Sequence, residues 1–324
     1  MTPAASYRSA RLLAGAFFLA ALAGCAGLVP QTMALRDAWP EGVPGRSEMP
    51  DVAFFPQEEY QCGPAALATD LVSTGVKVSP EDLVSKVYIP DRQGSLQAEM
   101  LAAPRQYNRV AYRLEPSFPD LIREIAAGNP VIILQDIGLG FLNTKWHYAV
   151  VVGYDYPEGE LYLRSGQKKR DKTPFTILEY TWRKSNYWAM VAMPPDRIPV
   201  TATEATYVPA IAAMERVGDK EAAITAYKTA LERWPDSLGA SVALANLYYA
   251  QGKLKDTEAT LRRASERHPE SVVVLNNLAQ TLSDEGRDAE ALSLIEKAGQ
   301  PDSKYAAAVA ETRALIEQRL EKKK

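Results

Sequence analysis

Residues able to perform acyl transfer are scarce in this chain. Among 324 residues there are two cysteines and two histidines. Cys62 stands where a polar loop, Glu58-Glu59-Tyr60-Gln61, meets an apolar run, Ala65-Ala66-Leu67-Ala68. Pro64 has the φ that suits the first turn of a helix, and Gly63 lets the backbone approach a ligand closely. This pattern predicts a helix that begins at the cysteine. A thiol there feels the positive end of the helix dipole, which favours thiolate over thiol. Five positions upstream, Gln57 carries an amide that can donate to an oxyanion formed at Cys62. Gln61 neighbours the same point, although the polarity of a surface loop explains it equally well. His147 opens the run His-Tyr-Ala-Val-Val-Val-Gly-Tyr, 147–154. It is the one imidazole outside the C-terminal region that can serve as base to Cys62, and a Cys/His pair needs only proximity in space.

The other cysteine has a different use. Arg8 and Arg11 precede an apolar run, 12–24, too short to span a membrane and patterned as an export signal. It ends in Leu22-Ala23-Gly24-Cys25, which resembles the lipobox of bacterial lipoproteins. That resemblance implies lipidation of Cys25, a signal peptide of residues 1–24, and attachment to the cell envelope. Ala26 in the next position points to the outer membrane, facing the periplasm, in a Gram-negative host. Cys62 is then left without a partner in an oxidising compartment, where a free thiol calls for a chemical reason. The chain carries a formal net charge of −3, which becomes −5 without Arg8 and Arg11, and a pI near 5.7. Nucleic acid is not an expected partner. The supply of His and Cys is too small for a protein-built zinc cage, and no cofactor is expected.

Residues 25–52 hold Pro30, Pro40, Gly42, Pro44, Gly45 and Pro50 with little apolar periodicity, and so predict a tether. Helices are expected at Cys62, at 80–86, at 96–107 and at 121–127. Strands are expected at 131–134, 147–154, 160–164 and 188–193, with a turn around Pro157. Helices first and an antiparallel sheet afterwards predict an α+β domain over 53–195.

After a linker, 196–203, the texture changes. Gly218, Gly252 and Gly286 recur at an interval of 34 residues, as do Ala230, Ala264 and Ala298, and Trp234-Pro235 with His268-Pro269. Ala245 and Ala279 share that interval. The pattern resembles tetratricopeptide repeats: three of them, 204–237, 238–271 and 272–305, and a capping helix from 306, an all-α solenoid over 204–324. Such arrays bind peptide segments or partner proteins. His268 takes the register of Trp234, and a structural role is expected for it.

The sequence Gln-Cys-Gly-Pro-Ala-Ala-Leu-Ala, the upstream Gln57 and the later His147 strand together resemble papain-like cysteine peptidases. The closer likeness is to the subgroup that trims leader peptides from bacteriocin precursors. The resemblance implies a papain-like α+β fold and a peptide or protein substrate. It makes Cys62 the nucleophile, His147 the general base and acid, and Gln57 the oxyanion donor. The family's third member, an Asp or Asn that orients the histidine, has no direct counterpart. Reflection of the hairpin about Pro157 brings Ser165 and Gln167 near His147, and Leu-Arg-Ser-Gly, 163–166, fills the family's slot. Asp155 shares the face of His147 but lies about 26 Å along the strand. Aromatic residues Tyr60, Trp146, Tyr148, Trp182, Tyr187 and Trp188 cluster around these elements as core or groove lining. The expected protein is a lipid-anchored cysteine peptidase whose repeats recruit substrate or partner. A Cys-dependent amidase or transpeptidase and a non-catalytic peptide-binding scaffold are the alternatives.

Overall fold

A computed structural model describes residues 29–57, 61–138, 143–298 and 304–323. Cys25, the leader and Tyr60 lie outside them. The chain folds as two compact units. One takes in the chain up to Pro104, Ala111–Ala192 and Pro199–Thr201, and the other comprises Arg105–Val110, Met193–Ile198 and Ala202 onward.

The first unit is α+β. In chain order it contains helix α1 (Pro30–Asp37), strand β1 (Arg46–Glu48), helices α2 (Cys62–Ser73), α3 (Pro80–Val87) and α4 (Gln97–Ala102), and strand β2 (Val110–Arg113). Helix α5 (Phe118–Ala126), strands β3 (Val131–Asp136), β4 (Trp146–Asp155), β5 (Glu160–Ser165) and β6 (Lys168–Pro174), helix α6 (Phe175–Trp182) and strand β7 (Ala189–Met193) follow. The strand order is β2-β7-β3-β4-β5-β6, with β1 added beside the far end of β4. Strand β3 is buried throughout and β4 is buried from Tyr148 onward, as expected of central strands covered on both faces. Around them Trp182, Trp188, Tyr112 and Tyr154 are fully buried. The Trp182 indole N–H donates to Trp188 O at 2.8 Å, so its burial leaves no polar group unmet.

Several expectations change here. Residues 30–48 belong to the body and are not a tether. Glu179, completely buried in α6, accepts the N–H groups of Gln31 and Thr32 at 2.9 and 2.6 Å, holding the open end of α1. Leu35 is buried, Trp39 stacks on Tyr156, and β1 pairs with β4. This docking uses polar caps and a three-residue strand, which leave no periodic trace. The helix expected over 96–107 stops at Ala102 and tightens into a 3-10 turn, Ala103–Tyr107. Pro104, which lacks an N–H, accounts for the break. Trp188 lies just before β7. Strands β2 and β6 and helix α6 had no clear sequence signal. Lys-Lys-Arg-Asp-Lys-Thr-Pro, a charged run without apolar alternation, is an edge strand held by its ladder to β5.

The second unit is helical. Helices α7 (Glu204–Glu215), α8 (Lys220–Arg233), α9 (Leu238–Ala250), α10 (Leu254–Arg267), α11 (Val272–Asp284) and α12 (Asp288–Ala298) form three successive pairs, one per 34-residue interval, and α13 (Ala306–Glu321) follows. Ala230, Ala245, Ala264, Ala279 and Ala298 are all buried, because small residues let the helices cross closely. His268 caps α10, and its Nε2 lies 2.8 Å from Asp236 O, a structural contact.

Candidate active site

Helix α2 starts at Cys62 and is buried from Gly63 to Leu71. Its depth is held by Asp70, whose carboxyl accepts the Ala192 N–H at 3.0 Å. Burial pushes Asp70 well above the usual carboxylate range, against the Ala192 N–H, and this hydrogen bond clamps α2 to β7. Gly63 is required for packing: a Cβ there would lie 2.1 Å from Ser95 Oγ. The close neighbour permitted by this glycine is therefore a residue of the chain itself.

Four hydrogen bonds fix Gln57. Its N–H donates to Gly166 O at 3.0 Å, and its Oε1 accepts the Gly166 N–H at 3.1 Å. Its Nε2 donates to Tyr148 O at 3.3 Å, and its carbonyl accepts from Gln167 Nε2 at 2.7 Å. The second proton of Nε2 remains to point elsewhere. His147, near the start of β4, has Nε2 2.9 Å from Ser165 Oγ. The β4–β5 pairing, Val150 with Arg164 and Val151 with Leu163, extrapolates to 147 opposite 167, the register of a hairpin centred on Pro157. Gln167 nonetheless turns to Gln57, and the imidazole partner is Ser165. Asp155, at the far end of β4, pairs with Arg46 at 2.9 Å and is not part of this group.

Gln57, Cys62, His147 and Ser165 all line one cleft of about 1,920 Å³, together with Trp146 and Tyr148. The start of β4 is held by Asp136, which is almost fully buried. Its Oδ1 accepts the N–H groups of Gly138 and Lys145 at 2.9 and 2.8 Å, and its Oδ2 meets Lys184 Nζ at 3.1 Å.

The electrostatics differ from those of an isolated helix terminus. Burial pushes the Cys62 thiol up, although the N–H groups of Tyr148, Gly63 and Cys62 itself and the charge of Lys145 act against it. Burial, aided by Lys145, lowers His147 to about 4, while Asp171 opposes the shift. Thiol and imidazole are thus both neutral at pH 7. The dipole-favoured thiolate expected from the sequence is outweighed by desolvation. Lys145 acts on both groups and Asp171 on His147, although neither stood out in the sequence; the position of Lys145 two residues before His147 was the one available signal.

Compared with known proteins, residues 49–190 match the Peptidase_C39-like family and residues 217–273 match the tetratricopeptide repeat. An antiparallel sheet with helices, followed by a helical repeat region, is the architecture the sequence predicted. A solved structure from Bacillus anthracis, described as C39-like, is 18% identical over 46% of this chain and 97% of its own, with a TM-score of 0.38. No curated protein matches the chain. The stretch that matches the C39-like model contains every residue of the cleft described above, and tetratricopeptide repeats are protein-interaction modules.

Proposed function

We propose that the C39-like domain is a cysteine peptidase that works through Cys62. The observation that carries this reading is the convergence of Gln57, Cys62 and His147 on one cleft, with His147 bonded to Ser165 and Gln57 locked by its backbone partners. With Nε2–H donated to Ser165, His147 has Nδ1 free as a base. Sγ attacks the peptide carbonyl carbon as Nδ1 takes the thiol proton, and the imidazolium then returns that proton to the departing amine. Water, deprotonated by the same imidazole, hydrolyses the thioester. Gln57 Nε2 and the Cys62 N–H would stabilise both oxyanions. Ser165 orients the ring but adds no negative charge to support the imidazolium, so slow turnover is expected.

The neutral thiol and imidazole also favour a second reading, a peptide-binding scaffold that does not cut. Incubating the full chain and its Cys62→Ala variant with a defined peptide library separates the two. Cleavage by the parent that disappears in Cys62→Ala supports the peptidase. Cleavage that survives the substitution, or binding without cleavage by the parent, overturns it. Added amines captured in the products would identify the transpeptidase variant of the same chemistry. The repeats, in this reading, recruit substrate or partner, and lipid on Cys25 holds the protein in the cell envelope, at the outer membrane in a Gram-negative host. Mass spectrometry of the mature N-terminus, with Cys25→Ala alongside, tests the anchor.

A further inference from the structure

Large apolar side chains are normally withdrawn from water, and a cluster left exposed marks a contact surface. Four such residues line one cleft: Leu96, just before α4, and three carried by the sheet and α6. Ile137 follows β3, Trp146 opens β4 and Ile177 lies in α6, and all three line the cleft that contains Cys62 and His147. They are 44%, 49% and 55% exposed. The backbone that carries Ile137 and leads into Trp146 is tied in place. The Ile137 N–H donates to Lys145 O at 2.9 Å, and Asp136 ties both ends of this neck through the Gly138 and Lys145 N–H groups. A surface held in place in this way spends little entropy on binding.

The charges lining the same cleft are unbalanced. Its cations are Arg92, Arg113, Lys145, Lys168 and Lys184, and its carboxylates are Asp91 and Asp171. Lys168 is committed to Asp171 at 2.9 Å and Lys184 to Asp136 at 3.1 Å. Arg92, Arg113 and Lys145, carried by three separate elements, then face a single remaining carboxylate, Asp91, among the described lining residues. This excess of positive charge sits in a chain whose formal net charge is −3. A cleft lined by one sign of charge focuses its field on a bound ligand of the other sign.

We propose that the cleft selects an acidic peptide segment in which a bulky apolar side chain adjoins a carboxylate. The apolar side chain covers Ile137, Trp146 and Ile177, and the carboxylate pairs with Lys145, whose backbone is fixed beside Trp146. This substrate class deepens the peptidase reading and rests on it for the reaction, but it makes its own claim about binding. A polyanion without apolar groups would leave the exposed surface wet, and a basic peptide would be repelled by the excess of cations among the described lining residues.

The test uses the full chain carrying Cys62→Ala, so that recognition is measured without turnover. Four fluorescein-labelled dodecapeptides share one neutral Ala/Ser/Gly sequence and differ at two adjacent central positions: Leu-Glu, Leu-Lys, Ala-Glu and Ala-Lys. Fluorescence anisotropy gives each Kd. Leu-Glu is expected to bind about 10- to 60-fold tighter than Ala-Glu, the range for partly to fully burying three extra carbons. It is also expected to bind several-fold tighter than Leu-Lys at low salt, a gap that closes in 0.5 M NaCl as the exposed charges are screened. Ile177→Asp, a change at an exposed position, should remove the Leu preference, and Lys145→Glu should reverse the Glu preference. Arg92→Glu serves as a second charge variant, because Arg92 does not act on Cys62 or His147. Equal Kd values for the four peptides, or preferences unmoved in Ile177→Asp and in both charge variants, would overturn the proposal. If the Leu-Glu peptide binds as expected but the parent chain never cleaves it, the binding claim stands and the peptidase reading fails.

Discussion

Acidification from pH 7.5 to 4 isolates the consequence of holding His147 uncharged. In the fold, burial together with the charge of Lys145 keeps this imidazole at about 4, whereas an exposed histidine titrates near 6.5. Between those values the unfolded chain binds a proton that the folded chain refuses. Stability is therefore complete above pH 6.5 and is lost as the pH falls toward 4. The gap of about 2.5 pKa units, at about 1.4 kcal/mol each, corresponds to about 3 kcal/mol. For a unit of this size that is about 6–12 °C in melting temperature. His147→Gln keeps a polar partner for Ser165 and does not titrate. Thermal unfolding of the full-length parent and the variant, followed by near-ultraviolet circular dichroism of the buried Trp182 and Trp188 cluster, should show the two curves separate as acid is added. The parent falls faster, while carboxylates common to both proteins cancel in the comparison. Parallel loss in the two proteins would mean that His147 titrates alike folded and unfolded, and would refute the half-buried neutral imidazole.

Other consequences are as direct. The rate of Cys62 alkylation by iodoacetamide should rise through pH 9 with no plateau near pH 6, because burial raises the thiol pKa; a plateau at pH 6 would reveal a thiolate–imidazolium pair instead. Asp136→Ala leaves two N–H groups and Lys184 without their acceptor, and should cost about 3 kcal/mol in denaturant titration while speeding hydrogen exchange at the Lys145 amide. Gln57→Ala should lower kcat about 100- to 1,000-fold, the worth of one oxyanion donor, with KM nearly constant. In the repeats, Ala279→Leu inserts three carbons at a fully buried helix crossing and should destabilise the helical unit by about 1–3 kcal/mol, seen as an earlier loss of far-ultraviolet signal.

What could be read before folding was what repeats or alternates. The 34-residue interval of Gly218, Gly252 and Gly286 specified the helix pairs, since one supersecondary unit recurs with the same small residues at the same crossings. The apolar run after Cys62 marked α2, and the run after His147 marked the central strand. Illegible were the pieces whose place depends on partners distant in sequence. Helix α1 is held by Glu179 nearly 150 residues away, and β6 is a charged segment made into a strand only by β5.

The site divides in the same manner. Sequence alone determined which residues are chemically competent: one cysteine at a helix start, one imidazole outside the repeats and an amide upstream, because residue type and local spacing carry that information. Tertiary structure decided that Ser165, and not Gln167 or Asp155, meets the imidazole. It also decided that Gln57 is braced by Gly166 and Tyr148, and that thiol and imidazole rest neutral. Those outcomes depend on strand register and on desolvation, and desolvation is a property of everything packed around a group, which no local spacing records.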